Sequence, residues 1–129
     1  MKILLDEHLP KAVAVTLGRL LTGTDAQHIA DWQYGRWLAE DDPVLLEGLW
    51  QDRRPLASYD RATLPRHLAK RIAGGKDHAG VIFVDQERFP VTRIGDMARG
   101  LQEFGNVFQR FPKNPAPSDW INRTVTLTS

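Results

Sequence analysis

Acidic side chains stand at three places in this chain where a carboxylate is either costly or directional. Asp6 and Glu7 directly follow the apolar run KILL (2–5), Asp41 and Asp42 precede the helical pattern PVLLEGLW, and Asp60 follows the short stretch PLAS. An acid that continues a buried strand is expensive unless something compensates it. Carboxylates gathered in one place repel one another unless a cation sits among them, and hard oxygen donors suit Mg²⁺ or Mn²⁺. If the three segments converge, they predict a divalent-cation site, with Asp6 as direct ligand and with Asp42 and Asp60 holding the ion or its waters. Each acid also has a structural use. Asp41 or Asp42 can cap the following helix, and Asp60 can cap the one after it. Joint placement on one edge is what favours a site, and Asp41 is then expected to turn away as the cap or as a surface residue.

Convergence requires a particular arrangement of elements. KILL reads as a buried strand, and Leu9, Val13, Leu17, Leu20 and Leu21 then recur with helical spacing from Pro10, which suits a first helical turn. AQHIA (26–30) is a candidate second strand. Pro43 opens a helix whose core stripe is Leu45, Leu46, Leu49 and Trp50, and PLASYD (55–60) is a short strand. Leu64, Leu68 and Ile72 mark a helix that Gly74 and Gly75 end. GVIFVD (80–85) is the clearest strand, Ile94, Met97, Ala98 and Leu101 form a further amphipathic helix, and TVTL is a candidate last strand. Alternating strands and helices of this kind build a parallel α/β sheet, whose strand carboxyl ends share one edge where ligands bind. Asp6, Asp42 and Asp60 all fall on that edge.

Composition narrows the chemistry further. The chain has 129 residues, 42% hydrophobic and 26% charged, with a formal charge of +1. That length makes one core, so a site must be built from it. Net charge says nothing about nucleic acid; only local clustering could. The chain has no cysteine, which excludes disulfides, thiolate metal sites and cysteine nucleophiles. Neither a signal-peptide pattern nor a membrane-length apolar run is present, so a cytoplasmic protein without membrane contact is expected.

The opening MKILLDEHLP and the block DDPVLLEGLWQDRRPLASYDR together resemble the small bacterial branch of the PIN-like superfamily. The resemblance spans roughly residues 1–85 and places Asp42 and Asp60 in the family's acidic positions. It implies a three-layer α/β domain with a mainly parallel sheet flanked by helices, here residues 1–111, followed by a proline-rich arm (112–129) that packs on the domain or on a partner. It also implies a Mg²⁺- or Mn²⁺-dependent endoribonuclease, with Asp6, Asp42 and Asp60 catalytic. Larger members carry a further acid, for which Glu7 is the natural substitute as a metal ligand. RNA is then the substrate, and the partners implied are a small DNA-binding antitoxin and a second copy of the chain as a homodimer.

A nuclease needs cations to meet phosphate, and RATLPRHLAKR supplies Arg61, Arg66, Lys70 and Arg71 in and after the Asp60 turn. The same charges also suit a solvated helix face. DWQYGRW interleaves Trp32, Tyr34 and Trp37 with Arg36, a pattern for stacking single-stranded bases or for filling a core. His28, His67 and His78 read as structural, and His8, beside the acids, as a candidate proton carrier. Two alternatives remain open. One is a non-catalytic PIN-like module that binds RNA or a protein with a degraded metal site; the other is a receiver-like acidic pocket, against which the lack of a lysine after a late strand counts.

Overall fold

The computed structural model describes residues 1–109 and 121–128, with the backbone alone over 105–109. Its elements run β1 (Lys2–Leu5), α1 (Lys11–Leu20), β2 (Asp25–His28), α2 (Asp42–Asp52), β3 (Leu56–Ser58), α3 (Leu64–Ala73), β4 (Val81–Val84), α4 (Ile94–Gln109) and β5 (Thr124–Leu127). A short 3₁₀ turn, Trp32–Gly35, lies between β2 and α2. The strands form one parallel sheet in the order β2-β1-β3-β4-β5. The architecture is the three-layer α/β domain that the alternation of elements predicts.

Side-chain alternation along the strands divides the core in two. Ile3 and Leu5 of β1, Ala57 of β3 and Ile82 and Val84 of β4 face α1 and α4, meeting Val13, Leu17, Met97 and Leu101. Leu4, Leu56, Val81 and Phe83 face the other way, onto Leu45, Leu46 and Leu49 of α2, Leu64 and Leu68 of α3, and Trp32. Both faces of the central strands are covered, which is why KILL and VIFV are continuous apolar runs.

Two residues assigned to core stripes lie outside. Leu20 and Ile72 are 41% and 44% exposed. A four-residue spacing drifts about 40° around a helix at each step, so the third member of such a row, Ile72, has rotated off the buried face. In the last turn of α1 the buried position belongs to Leu21 instead. Trp50 is half-buried, with the Arg53 guanidinium 3.5 Å from its ring centre. Pro10 takes the position before α1 rather than its first turn, and α3 ends at the glycine pair, where Gly75 has φ +79°.

The segment set apart from residue 112 returns as β5, hydrogen-bonded to β4 from Thr124 to Leu127. Pro112, Pro115, Pro117 and Trp120 lie outside the described residues. Among the described residues, no helix is long and apolar enough to cross a membrane.

Candidate functional site

In the strand order, β1 leads outward to β2, and the chain then returns to place β3 on β1's other side. The carboxyl edge between β1 and β3 is therefore the switch point at which parallel sheets open a crevice. A cavity of about 220 Å³ lies there, and Asp6, Glu7, His8, Asp42, Ser58 and Asp60 line it above an apolar floor that includes Leu45, Leu56 and Leu64. All four acids assigned from the sequence to a metal site, Asp6, Glu7, Asp42 and Asp60, thus border one hollow. Asp41 is exposed outside it. It occupies the N-cap position of α2 without a side-chain capping bond.

Asp6 is still held to the sheet, its amide donating to the Ala57 carbonyl at 3.1 Å. The chain then turns, with one Asp6 carboxylate oxygen accepting from the His8 amide at 3.0 Å. That turn is why Glu7 reaches the hollow occupied by Asp6 instead of pointing to the opposite face of the sheet. Glu7 and His8 are exposed and pair with each other at 3.5 Å.

Ser58, the last residue of β3 and 1% exposed, links two of the acids. Its hydroxyl donates to the second Asp6 oxygen and accepts from the Asp60 amide, the latter at 3.0 Å. Asp60 in turn accepts from the amides of Ala62 and Thr63 at 3.0 and 2.9 Å and from the Thr63 hydroxyl. Burial alone would raise its pKa, but these bonds, led by the Thr63 hydroxyl, hold it below the ordinary value.

Asp42, in the first turn of α2, differs from both. The His67 imidazole on α3 stands 3.8 Å from it. Burial raises its pKa; His67 opposes this, while the nearby Asp60, Asp6 and Asp41 add to it. The pKa of Asp42 is thus raised where that of Asp60 is lowered. On the other face of the sheet, burial and Asp6 raise the pKa of Tyr59, whose hydroxyl donates to the Phe89 carbonyl at 2.5 Å.

The residue types fit an oxygen-preferring divalent ion, but their spacing is open. Among the described residues, no three His, Asp or Glu side chains are grouped closely enough to hold a metal ion as they stand. Ions such as Mg²⁺ keep several of their own waters and take one or two carboxylates directly, so a lined crevice matches that mode better than a closed cage would.

The cations are distributed unevenly. Arg61 and Arg66 are exposed and line neither the crevice nor the neighbouring groove, whereas Lys70 borders that groove, between α2 and α3. Arg71 also reaches the groove, but it pairs with Glu47 at 3.1 Å and donates to the Asp77 carbonyl at 2.6 Å, tying α3 to α2 and to its own exit loop. Trp32 is buried and stacks on Trp37 at 5.7 Å, while Tyr34 is fully exposed.

His28 and His78 are buried and bonded to backbone groups, His28 to the Leu9 carbonyl and Ala30 amide, His78 to the Gly80 amide. His67 is instead half-exposed and faces Asp42. Thr128, not a lysine, follows β5.

Ser58 and His67 escaped the reading of the sequence as members of the site. Only the lone hydroxyl in an otherwise apolar strand hinted at the first. No family model, curated protein or solved structure matches the chain.

Proposed function

We propose that the crevice at the carboxyl ends of β1 and β3 is the active site of a PIN-like, Mg²⁺- or Mn²⁺-dependent endoribonuclease. One observation carries this reading. Three carboxylates from separate segments, Asp6, Asp42 and Asp60, border one small hollow at the switch point, and no lysine or arginine among the described residues pairs with any of them. When bound, the ion acidifies water and offsets charge on the phosphoryl oxygens during in-line attack.

The chain's own groups do the positioning. Ser58 and the His8 amide each donate to one oxygen of Asp6, which leaves each oxygen further acceptor capacity. The Thr63 hydroxyl and backbone amides fix Asp60. Asp42 faces His67 at 3.8 Å, and burial raises its pKa, so an incoming cation would favour its charged form. The toxin role and the antitoxin partner rest on the sequence resemblance alone.

The test is cleavage of a labelled single-stranded RNA with Mn²⁺ or with a chelator. The wild type is expected to cut only with the metal, and Asp42→Asn to lose at least roughly a hundredfold in rate. Cleavage that survives the chelator or the substitution rejects the proposal. The bonds that already engage both oxygens of Asp60 favour a second reading, a module that binds RNA without cutting it, which predicts RNA retained uncut under every condition.

A further inference from the structure

Beyond the acidic crevice, α2, α3 and the turn before α2 enclose a larger groove of about 580 Å³. Arg36, Lys70 and Lys76 reach it from three separate segments, all exposed, and none is held in an ion pair among the described residues. The groove's single acid, Glu47, is already matched by Arg71 at 3.1 Å. The groove is therefore electropositive on a chain that is nearly neutral overall.

Its floor is apolar. Trp37 and Val44 line it, and the Trp37 ring lies so close to α2 that a Cβ on Gly48 would meet it at 2.6 Å. The Arg36 guanidinium sits 4.6 Å from the centre of the same ring. Cations around an apolar floor suit an unpaired strand, which brings phosphates and uncovered bases to one surface, whereas a duplex keeps its bases stacked inside.

The groove also leads somewhere. His67 lines it and stands 3.8 Å from Asp42, which borders the crevice.

We propose that this groove is the track along which single-stranded RNA lies, with Arg36, Lys70 and Lys76 on its phosphates, so that one phosphodiester is delivered past His67 to Asp42. Its direction rests on the nuclease reading of the crevice; its affinity does not.

Fluorescence anisotropy of a labelled oligouridine, with chelator present so that nothing is cut, separates the two. Three phosphate contacts on a single strand give a slope of about −2 in log affinity against log salt, roughly a twentyfold loss between about 50 and about 200 mM. Lys70→Glu combined with Lys76→Glu is expected to weaken binding by at least about tenfold. Arg19→Glu, on α1 at the opposite face of the sheet, leaves it unchanged, and melting curves confirm that both variants fold.

Binding by the double variant equal to wild type overturns the track, as does failure of the wild type to bind. Tighter binding of a duplex of the same length, or displacement of the RNA by polyglutamate at equal charge concentration, overturns the choice of ligand. Binding without cleavage once Mn²⁺ is restored rejects the nuclease reading and leaves the track standing. Cleavage by the double variant with unchanged KM does the reverse.

Discussion

At the amino ends of β1, β2 and β3, Asp25 and Asp52 are each met by full cations, whereas at the carboxyl ends of the same sheet no lysine or arginine among the described residues pairs with Asp6, Asp42 or Asp60, and Asp42 faces only the half-exposed His67. Arg54, 3% exposed, donates to both Asp25 and Asp52 at 2.7 and 2.8 Å, and to the carbonyls of Ile3 and Asp25. Lys2 adds a bond to Asp52 at 2.9 Å. The pKa of Asp25 is lowered, chiefly by Arg54; at Asp52 the bonds from Lys2 and Arg54 overcome a burial cost that would raise it. At the other edge the pKa of Asp42 is raised. One edge closes its carboxylates with cations; at the other, hydroxyls and backbone amides hold Asp6 and Asp60, and Asp42 keeps a raised pKa. That difference, more than the number of acids, is the argument for function at the carboxyl edge.

The largest effect should come from breaking the closed edge. Arg54→Met removes four hydrogen bonds and leaves Asp25 without its ion-pair partner, while Lys2 still holds Asp52, at a cost of roughly 2–4 kcal/mol in chemical denaturation. The same variant should flatten the acid limb. Asp25 and Asp52 have folded pKa values below their unfolded ones, so their contribution is present above about pH 4 and is lost as pH falls through the lowered values. Without Arg54 the part due to Asp25 is lost while Lys2 keeps part of that due to Asp52, so the acid slope should be shallower than wild type, and a slope as steep as wild type would contradict the contrast between the edges.

A smaller effect of opposite sign is expected at the open edge. Asp42 has a raised folded pKa, so its carboxyl favours folding below the unfolded pKa, and that advantage disappears as pH rises through the folded value. Without metal, Asp42→Asn should stabilise the protein at pH 7 relative to wild type by only roughly 0.5 kcal/mol, because solvent screens a group this exposed. The gain should vanish near pH 3. Asp6→Asn is not equivalent, since it disturbs the bond from the buried Ser58 hydroxyl and should not stabilise.

Much of this was legible in the sequence, for identifiable reasons. KILL and VIFV are continuous because both sheet faces are covered, and helical spacing located the four helices within a few residues of their ends. The edge rule for parallel sheets then brought Asp6, Asp42 and Asp60 together without any contact being known.

What escaped depends on long-range geometry. Nothing in QDRRPLAS marks Arg54 as the buried one of two adjacent arginines, because its partner Asp25 lies far back in the chain. The left-handed Gln33 and Tyr34 are not glycines, so the 3₁₀ turn that sets Arg36 and Trp37 at the groove carries no local signal except Gly35, where a Cβ would meet the Ala30 carbonyl oxygen at 2.8 Å. The cations at 61–71 form a cluster in sequence, yet the groove draws Arg36 and Lys76 from elsewhere and leaves Arg61 and Arg66 outside.

The most direct test of the open edge is Mn²⁺ titration of wild type and Asp42→Asn, followed by thermal melting at pH 7. A cation bound by the native state alone stabilises it by RT ln(1 + [L]/Kd), about 2.7 kcal/mol at a hundredfold excess. A metal held at this edge predicts a saturable rise in Tm for the wild type, with most of it lost in Asp42→Asn and all of it reversed by chelator. Equal shifts in the two proteins, or no shift in the wild type, would contradict the claim that the carboxylates of this edge hold a metal ion.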